Sequence, residues 1–238
     1  GALLACTSLL FVTIPNPKPD ETKTKLNLWQ DLREAQREVT SHKGMTLLFL
    51  LSILATLFIM PISVLFPLMT LNHFSGSAYQ MSLVEAIWSV GSLAGGLVLS
   101  LRQYKVNKIV LINSMYILLG ISFLFSGLLP PTAFVWFVIL TAIEGVSGSV
   151  YYASFMTVVQ TKVNPAVLGR VFSIFMSISM FPSMIGLMGT GFIADNIGIS
   201  NTFAIGGLVV CAIGIISFFI PSLFAVGRLT IEGKTRNI

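Results

Sequence analysis

The sequence predicts an all-α membrane protein, and three observations carry that expectation. Hydrophobic residues make up 55% of the 238 and charged residues only 10%, with a mean hydropathy of +0.89. The apolar residues fall into runs that reach the roughly 20 residues a helix needs to cross a bilayer. The charges collect in the short segments between those runs. A soluble domain of this composition would have almost no polar surface to present to water.

The clearest unit is the hairpin from Phe134 to Phe192, two apolar runs joined by QTKVNPAVLGR at 160–170. Pro165 lacks an amide donor and restricts Asn164, which ends the first helix, while Gly169 and Arg170 begin the second with a cation at the interface. The same plan repeats along the chain, giving expected spans at 45–71, 81–101, 109–129, 134–159, 171–193 and 202–226. Together, residues 45–226 read as one six-helix domain. Ahead of it, Ala2 to Ile14 is too short for a crossing and stops at Pro15, so 1–15 is expected to be the end of a truncated membrane helix. Residues 16–44 are polar, with Leu28, Leu32, Ala35 and Val39 at helical spacing and Asn27 and Gln30 placed like a capping pair; they read as a cytoplasmic linker helix. Residues 227–238 form a cytoplasmic tail.

All 14 Lys and Arg residues fall on one side of this plan. They lie in the linker region (Lys18 to Lys43), at Arg102, Lys105 and Lys108, at Lys162 and Arg170, and at Arg228, Lys234 and Arg236. The alternate connections at 72–80, 130–133 and 194–201 hold none. Short loops rich in cations stay in the cytoplasm, so this asymmetry orients the chain. It also explains the net charge of +5 without nucleic acid, because the basic residues come in small groups between spans. Cys6 and Cys211 both sit in apolar runs and offer neither a disulfide framework nor metal-ligand spacing. No cofactor, metal or catalytic residue is expected.

Acids inside the spans are the first candidates for function, since a charge there is costly. Only Glu85, Glu144 and Asp195 lie outside the linker and tail. Glu144 comes ten residues after Phe134, which at about 1.5 Å per residue is near the midplane of a core roughly 30 Å thick. Thr141, Ser147, Gly148, Tyr151 and Ser154 share its helical face. Desolvation raises a carboxyl pKa and water or a bound cation lowers it, so alternating access would let Glu144 take and surrender a proton, in competition with a cationic drug for one site. Glu85, about 6 Å into its span, is the second proton-coupling candidate. Asp195 lies at an external helix exit and suits a structural or gating role.

Prolines mark candidate moving parts. Pro61 and Pro67 interrupt the first span and Pro182 the fifth, breaks a membrane helix tolerates where neighbours satisfy the freed carbonyls. Arg170 at the hinge either locks helix ends or reaches up to the headgroups. Substrate-pocket candidates are Trp88, Ser147, Tyr151, Met180 and Met184, aromatic, hydroxyl and thioether groups suited to varied apolar ligands. Met176, Met180, Met184 and Met188 recur every fourth residue, a step that drifts around a helix; core packing is the expected role, with Met180 and Met184 as exceptions. Small residues mark close contacts at Gly91 and Gly95, Gly186 and Gly189, and Gly206, Gly207 and Gly214.

Six spans, a basic loop after the second and the hinge NPAVLGRVFS after the fourth resemble the carboxyl-terminal half of a major facilitator superfamily transporter. Within it the chain looks closest to the bacterial macrolide efflux permeases, on MPISVLFPLM at 60–69, GGLVLSL at 95–101, GISFLFSGLLP at 120–130, LGRVFS at 168–173 and ADNIGI at 194–199. The resemblance implies the six-helix half of a twelve-helix fold, each half made of two inverted three-helix repeats around a central site. It implies drug:proton antiport in a bacterial plasma membrane. The partners would be lipid, a small-molecule drug, protons and an amino-terminal six-helix half of the same polypeptide. It allows an acid at Glu85 and Asp195 and does not supply the one at Glu144. Exporters of siderophores or other metabolites share the branch, and a non-transporting scaffold built on a half-transporter is a further alternative. Gly145-Val146-Ser147-Gly148 matches the GxSG of intramembrane serine proteases, but no histidine follows Ser147 to serve as its base.

The charge asymmetry gives a direct test. Cysteines placed at Ser77, Pro131 and Asn201 should react with an impermeant maleimide on intact cells, and those at Lys105 and Asn164 should stay protected; labelling at Asn164 from outside would reverse the orientation.

Overall fold

The computed structural model describes Arg33, Arg37, Val39 and Thr40 and then residues 43–101, 106–165 and 167–232, the last six as backbone. Every regular element among them is a helix. α1 (Lys43–Leu68) runs on into a π-helical turn at Met69–His73, followed by α2 (Ala78–Leu101), α3 (Lys108–Leu128), α4 (Phe134–Lys162), α5 (Leu168–Ile197), α6 (Ile199–Phe218) and α7 (Pro221–Glu232). The first six, α1 together with its π turn, are 20 to 31 residues long and apolar enough to cross a membrane. The expected 1–15 helix, most of the 16–44 linker, the cations Arg102 and Lys105 and the last six residues lie outside the described residues.

Two boundaries differ from expectation. The sixth span ends at Phe218 instead of reaching Val226, because Pro221 cannot continue a helix and starts α7. The connection expected over 194–201 shrinks to Gly198, whose φ of 87° lies in the region glycine reaches without a Cβ clash. Asp195 therefore sits in the last turn of α5, exposed.

The packing order repeats with a two-fold rule. α2 packs on α4 and α5 on α1; α3 packs on α4 and α6 on α1; α3 and α6 pack on each other. Exchanging the first three spans with the last three leaves that set of pairs unchanged. Because each unit has three spans, the second enters from the opposite face, so the two are inverted.

Backbone contact through small residues holds the pairs together. A Cβ on Gly91 would meet Ala142 O, and one on Gly145 would meet Trp88 O and Ser92 N. The α2–α4 pair is thus in main-chain contact, and Ser92 Oγ donates to Gly145 O across it (3.2 Å). Gly120, Gly127 and Gly207 bring α3 and α6 equally close, and Ser200 Oγ donates to Gly127 O. In a bilayer, where lipid tails are as apolar as leucine, such close packing supplies the association energy that water would otherwise drive. Gly186 touches the Leu57–Pro61 segment of α1, whereas Gly189 meets only Ile193 of its own helix, so it is not a contact between helices. Hydroxyls within the spans mostly donate to a carbonyl one turn back: Ser52 to Leu48, Thr141 to Phe137, Ser147 to Ile143.

Substituting the contact glycines should separate from substituting the free ones. Gly145→Leu should destabilise by about 1–3 kcal/mol through overpacking. Gly148→Ala and Gly96→Ala, where an added Cβ meets nothing within 4 Å, should stay within about 0.5 kcal/mol. Equilibrium unfolding in mixed detergent micelles measures the difference, and equal losses at all three would discount the main-chain contact.

Candidate functional site

The interior of the six helices is apolar except along a short polar axis, and Glu144 is its only acid among the described residues. It is 1% exposed. Ser126 Oγ donates to Glu144 Oε1 (3.2 Å), joining α3 to α4, while Glu144 Oε2 has no hydrogen-bond partner. Ser126 belongs to the last turn of α3, so the carboxyl hangs nearer the α3–α4 turn than the residue count along α4 suggests. The reason is geometric, since helical side chains lean toward the amino terminus, which in α4 is the end at that turn.

Two aromatic groups close the site on either side. On the side of the α3–α4 turn, Phe66, Phe74, Phe123, Phe134, Phe137 and Phe203 form one cluster with ring centroids 4.9 to 6.5 Å apart. The π turn lies above this cluster, where His73 Nε2 pairs with Leu129 O (2.8 Å) and ties the α1–α2 turn to the α3–α4 turn. On the opposite side, the rings of Tyr116 and Tyr151 meet tilted with centroids 4.6 Å apart, and Tyr116 donates to Ser52 Oγ (3.3 Å) on α1. Ser217 Oγ donates to Asn113 Oδ1 (2.9 Å), Asn113 Nδ2 has no hydrogen-bond partner, and neither does the buried Ser154 Oγ on α4. Buried polar atoms of this kind are costly in hydrocarbon.

The expected pocket residues do not converge. Ser147 and Tyr151 face the interior beside Glu144, Trp88 is exposed on α2, and Met180 and Met184 are exposed on α5. Met176 and Met188 are exposed too, so the methionine stripe does not pack in the core. α5 buries only Val171, Gly186 and Thr190, leaving an arc wide enough to hold the whole drift of the stripe. Glu85 is exposed on α2, and Arg170 is half-buried at the start of α5. Pro61 is buried against Gly186 of α5, and Pro67 lies two residues before the π turn. Glu144 is enclosed on every side by the six helices in this conformation. Ser126, Asn113 and Ser52 were not singled out from sequence; an isolated serine in an apolar run carries no signal that separates a cross-helix donor from one bonded to its own helix.

A sequence model of the Major Facilitator Superfamily matches the chain over residues 1–187 and again over 48–230. The chain belongs to the Major Facilitator Superfamily. Macrolide efflux protein A of Streptococcus pyogenes is 33% identical over 216 residues, which is 91% of this chain and 53% of that protein. The Enterococcus faecalis protein of the same name is 35% identical over 187 residues, 79% of this chain and 58% of that one. Multidrug efflux pump Tap of Mycobacterium tuberculosis is 24% identical over 209 residues, covering 87% of this chain and 48% of the pump. The chain thus spans about half the length of these relatives, and its helices form a six-helix unit of the facilitator fold. No solved structure matches the sequence. Membership of this superfamily, with bacterial relatives and six crossing helices, makes it a multi-pass protein of a bacterial cell membrane and not an enzyme.

The Ser126–Glu144 contact predicts a spectroscopic signature. Under conditions where Glu144 is protonated, its carbonyl stretch should vanish in Glu144→Gln and move to higher frequency in Ser126→Ala, which removes the donor to Oε1. An unshifted band in Ser126→Ala would show that the two side chains do not pair in the membrane.

Proposed function

We propose that this chain is the six-helix half of a secondary efflux transporter that exports a hydrophobic or cationic drug, of the macrolide kind, in exchange for protons. The observation that supports it most directly is an enclosed carboxyl with one oxygen held by Ser126 and the other unpartnered, in a chain similar to efflux proteins. A carboxylate in the hydrocarbon costs about 2.5 kcal/mol or more, so a permanently charged group there would be a poor structural element. A group whose charge changes as water comes and goes is a proton carrier. Glu144 fills that role, and its proton occupancy follows the wetting of the interior as the protein alternates between faces. Drug binds elsewhere, on the open faces of α2 and α5 that carry Trp88, Met180 and Met184. Coupling then runs through helix movement, with Pro61 and Pro67 giving α1 its compliance.

Glu144→Gln keeps shape and hydrogen bonding but cannot titrate. The intact protein carrying it, expressed in cells stripped of other pumps, should still bind drug yet lose uncoupler-sensitive exclusion, while Glu85→Gln should export normally. A drug gradient built by Glu144→Gln against an imposed proton gradient would end the coupling role and move it to Glu85.

A further inference from the structure

Five of the six phenylalanines clustered beside Glu144 belong to crossing helices, and the sixth, Phe74, belongs to the turn between α1 and α2. Its ring packs on Phe134 and Phe137 of α4, with centroids 5.8 and 4.9 Å away, and it is 8% exposed. Withdrawing any of the other five requires a helix to move, whereas Phe74 can leave with its turn. The backbone of that turn departs from regular helix at each step. Phe74 N reaches back five residues to Met69 O (3.2 Å), the wider bond of a π turn, and Gly76 N bonds to Thr70 O (2.9 Å). Between them Ser75 has a φ of 51°, a left-handed conformation that residues with a Cβ seldom adopt. Beyond it Ser77 N donates to Gln80 Oε1 (2.8 Å) and Gln80 N to Ser77 Oγ (3.4 Å), so α2 starts from its own cap and the turn can shift without unwinding it. Such backbone persists only where the surroundings hold it, and it gathers at parts that move. His73 supplies the hold here: its Nε2 donates to Leu129 O (2.8 Å) at the end of α3, and its ring stands edge-on to Phe74 with centroids 4.8 Å apart.

We infer that residues 69–77 form a lid over Glu144, with Phe74 as its plug and the contact of His73 with Leu129 as its catch. Releasing the catch frees the turn to carry Phe74 away from Phe137. Water then reaches the carboxyl from the side of the α3–α4 turn with no crossing helix displaced. The lid's use rests on the reading of Glu144 as a proton carrier, since that role needs water to come and go. Its opening does not rest on that reading and is measured without transport, so either can fail while the other stands.

The reactivity of a buried thiol reads the opening. Ser126→Cys, beside Glu144, is made in the intact protein with its native cysteines changed to alanine, and its modification by 2-aminoethyl methanethiosulfonate is followed in proteoliposomes. A group that reacts only when exposed does so in proportion to the open population. His73→Leu, which cannot donate to Leu129 O, should raise the rate roughly threefold. Phe74→Ala should raise it about tenfold, and His73→Leu should then add nothing, because the catch acts only through the plug. Ser154→Cys, a buried position one turn beyond Tyr151 on α4, reports general loosening and should keep its rate in each variant. A Ser126→Cys rate untouched by both substitutions, independent effects of the two, or an equal rise at Ser154→Cys would each overturn the lid.

Discussion

Main-chain contact between helices is the constraint on which the rest of this structure depends. Hydrocarbon gives no hydrophobic reward for bringing two apolar helices together, so they associate where their backbones can approach. Gly91 and Gly145 do this for α2 and α4, and Gly120, Gly127 and Gly207 do it for α3 and α6. α3 and α4 also pack directly on each other, and Ser126 reaches Glu144 across that seam. The polar contact could not hold the helices by itself, since a cross-helix hydrogen bond in a membrane averages only about 0.6 kcal/mol.

The enclosure of Glu144 follows from the same arrangement. Phenylalanines from α1, α3, α4 and α6, with Phe74 of the α1–α2 turn, meet on the side of the α3–α4 turn, and the tyrosine pair meets on the opposite side. Neither barrier is made of charge. Each consists of rings that exclude water by packing, so wetting the carboxyl requires small rotations of rings and helices and no broken ion pair. The π turn and the prolines of α1 lie beside the phenylalanine barrier, where a helix with imperfect backbone bonding deforms most easily.

Much of the fold was legible from the sequence because the bilayer imposes simple rules. Span number follows from hydropathy, and the burial of Glu144 from the cost of a charge at its depth. What the sequence concealed is which apolar residues face inward. Met180 and Phe203 are equally apolar, yet one is exposed and the other fully buried, because lipid and protein interior make the same demand on a side chain. The partner of Glu144 was hidden for a related reason: most hydroxyls in these spans satisfy themselves on their own helix, and only coordinates show that Ser126 does not. The short α5–α6 connection was missed because Asp195, Asn196 and Asn201 read as a polar loop, whereas they are helical and the two asparagines bond back to carbonyls one turn earlier.

The two kinds of seam also differ in when they become available as the chain is made. Ser126 precedes Glu144 by 18 residues, so the donor is already in the membrane when the acid arrives from the ribosome. The acid never has to wait in hydrocarbon for a partner. The glycine face of α3 has the opposite fate: Gly127 precedes Ser200 by 73 residues and stays against lipid while α4 and α5 are inserted. A face of bare glycines waits at little cost, having no charge to hide and only backbone to offer. Biogenesis thus places the costly group late and beside its partner, and the inexpensive surface early and alone.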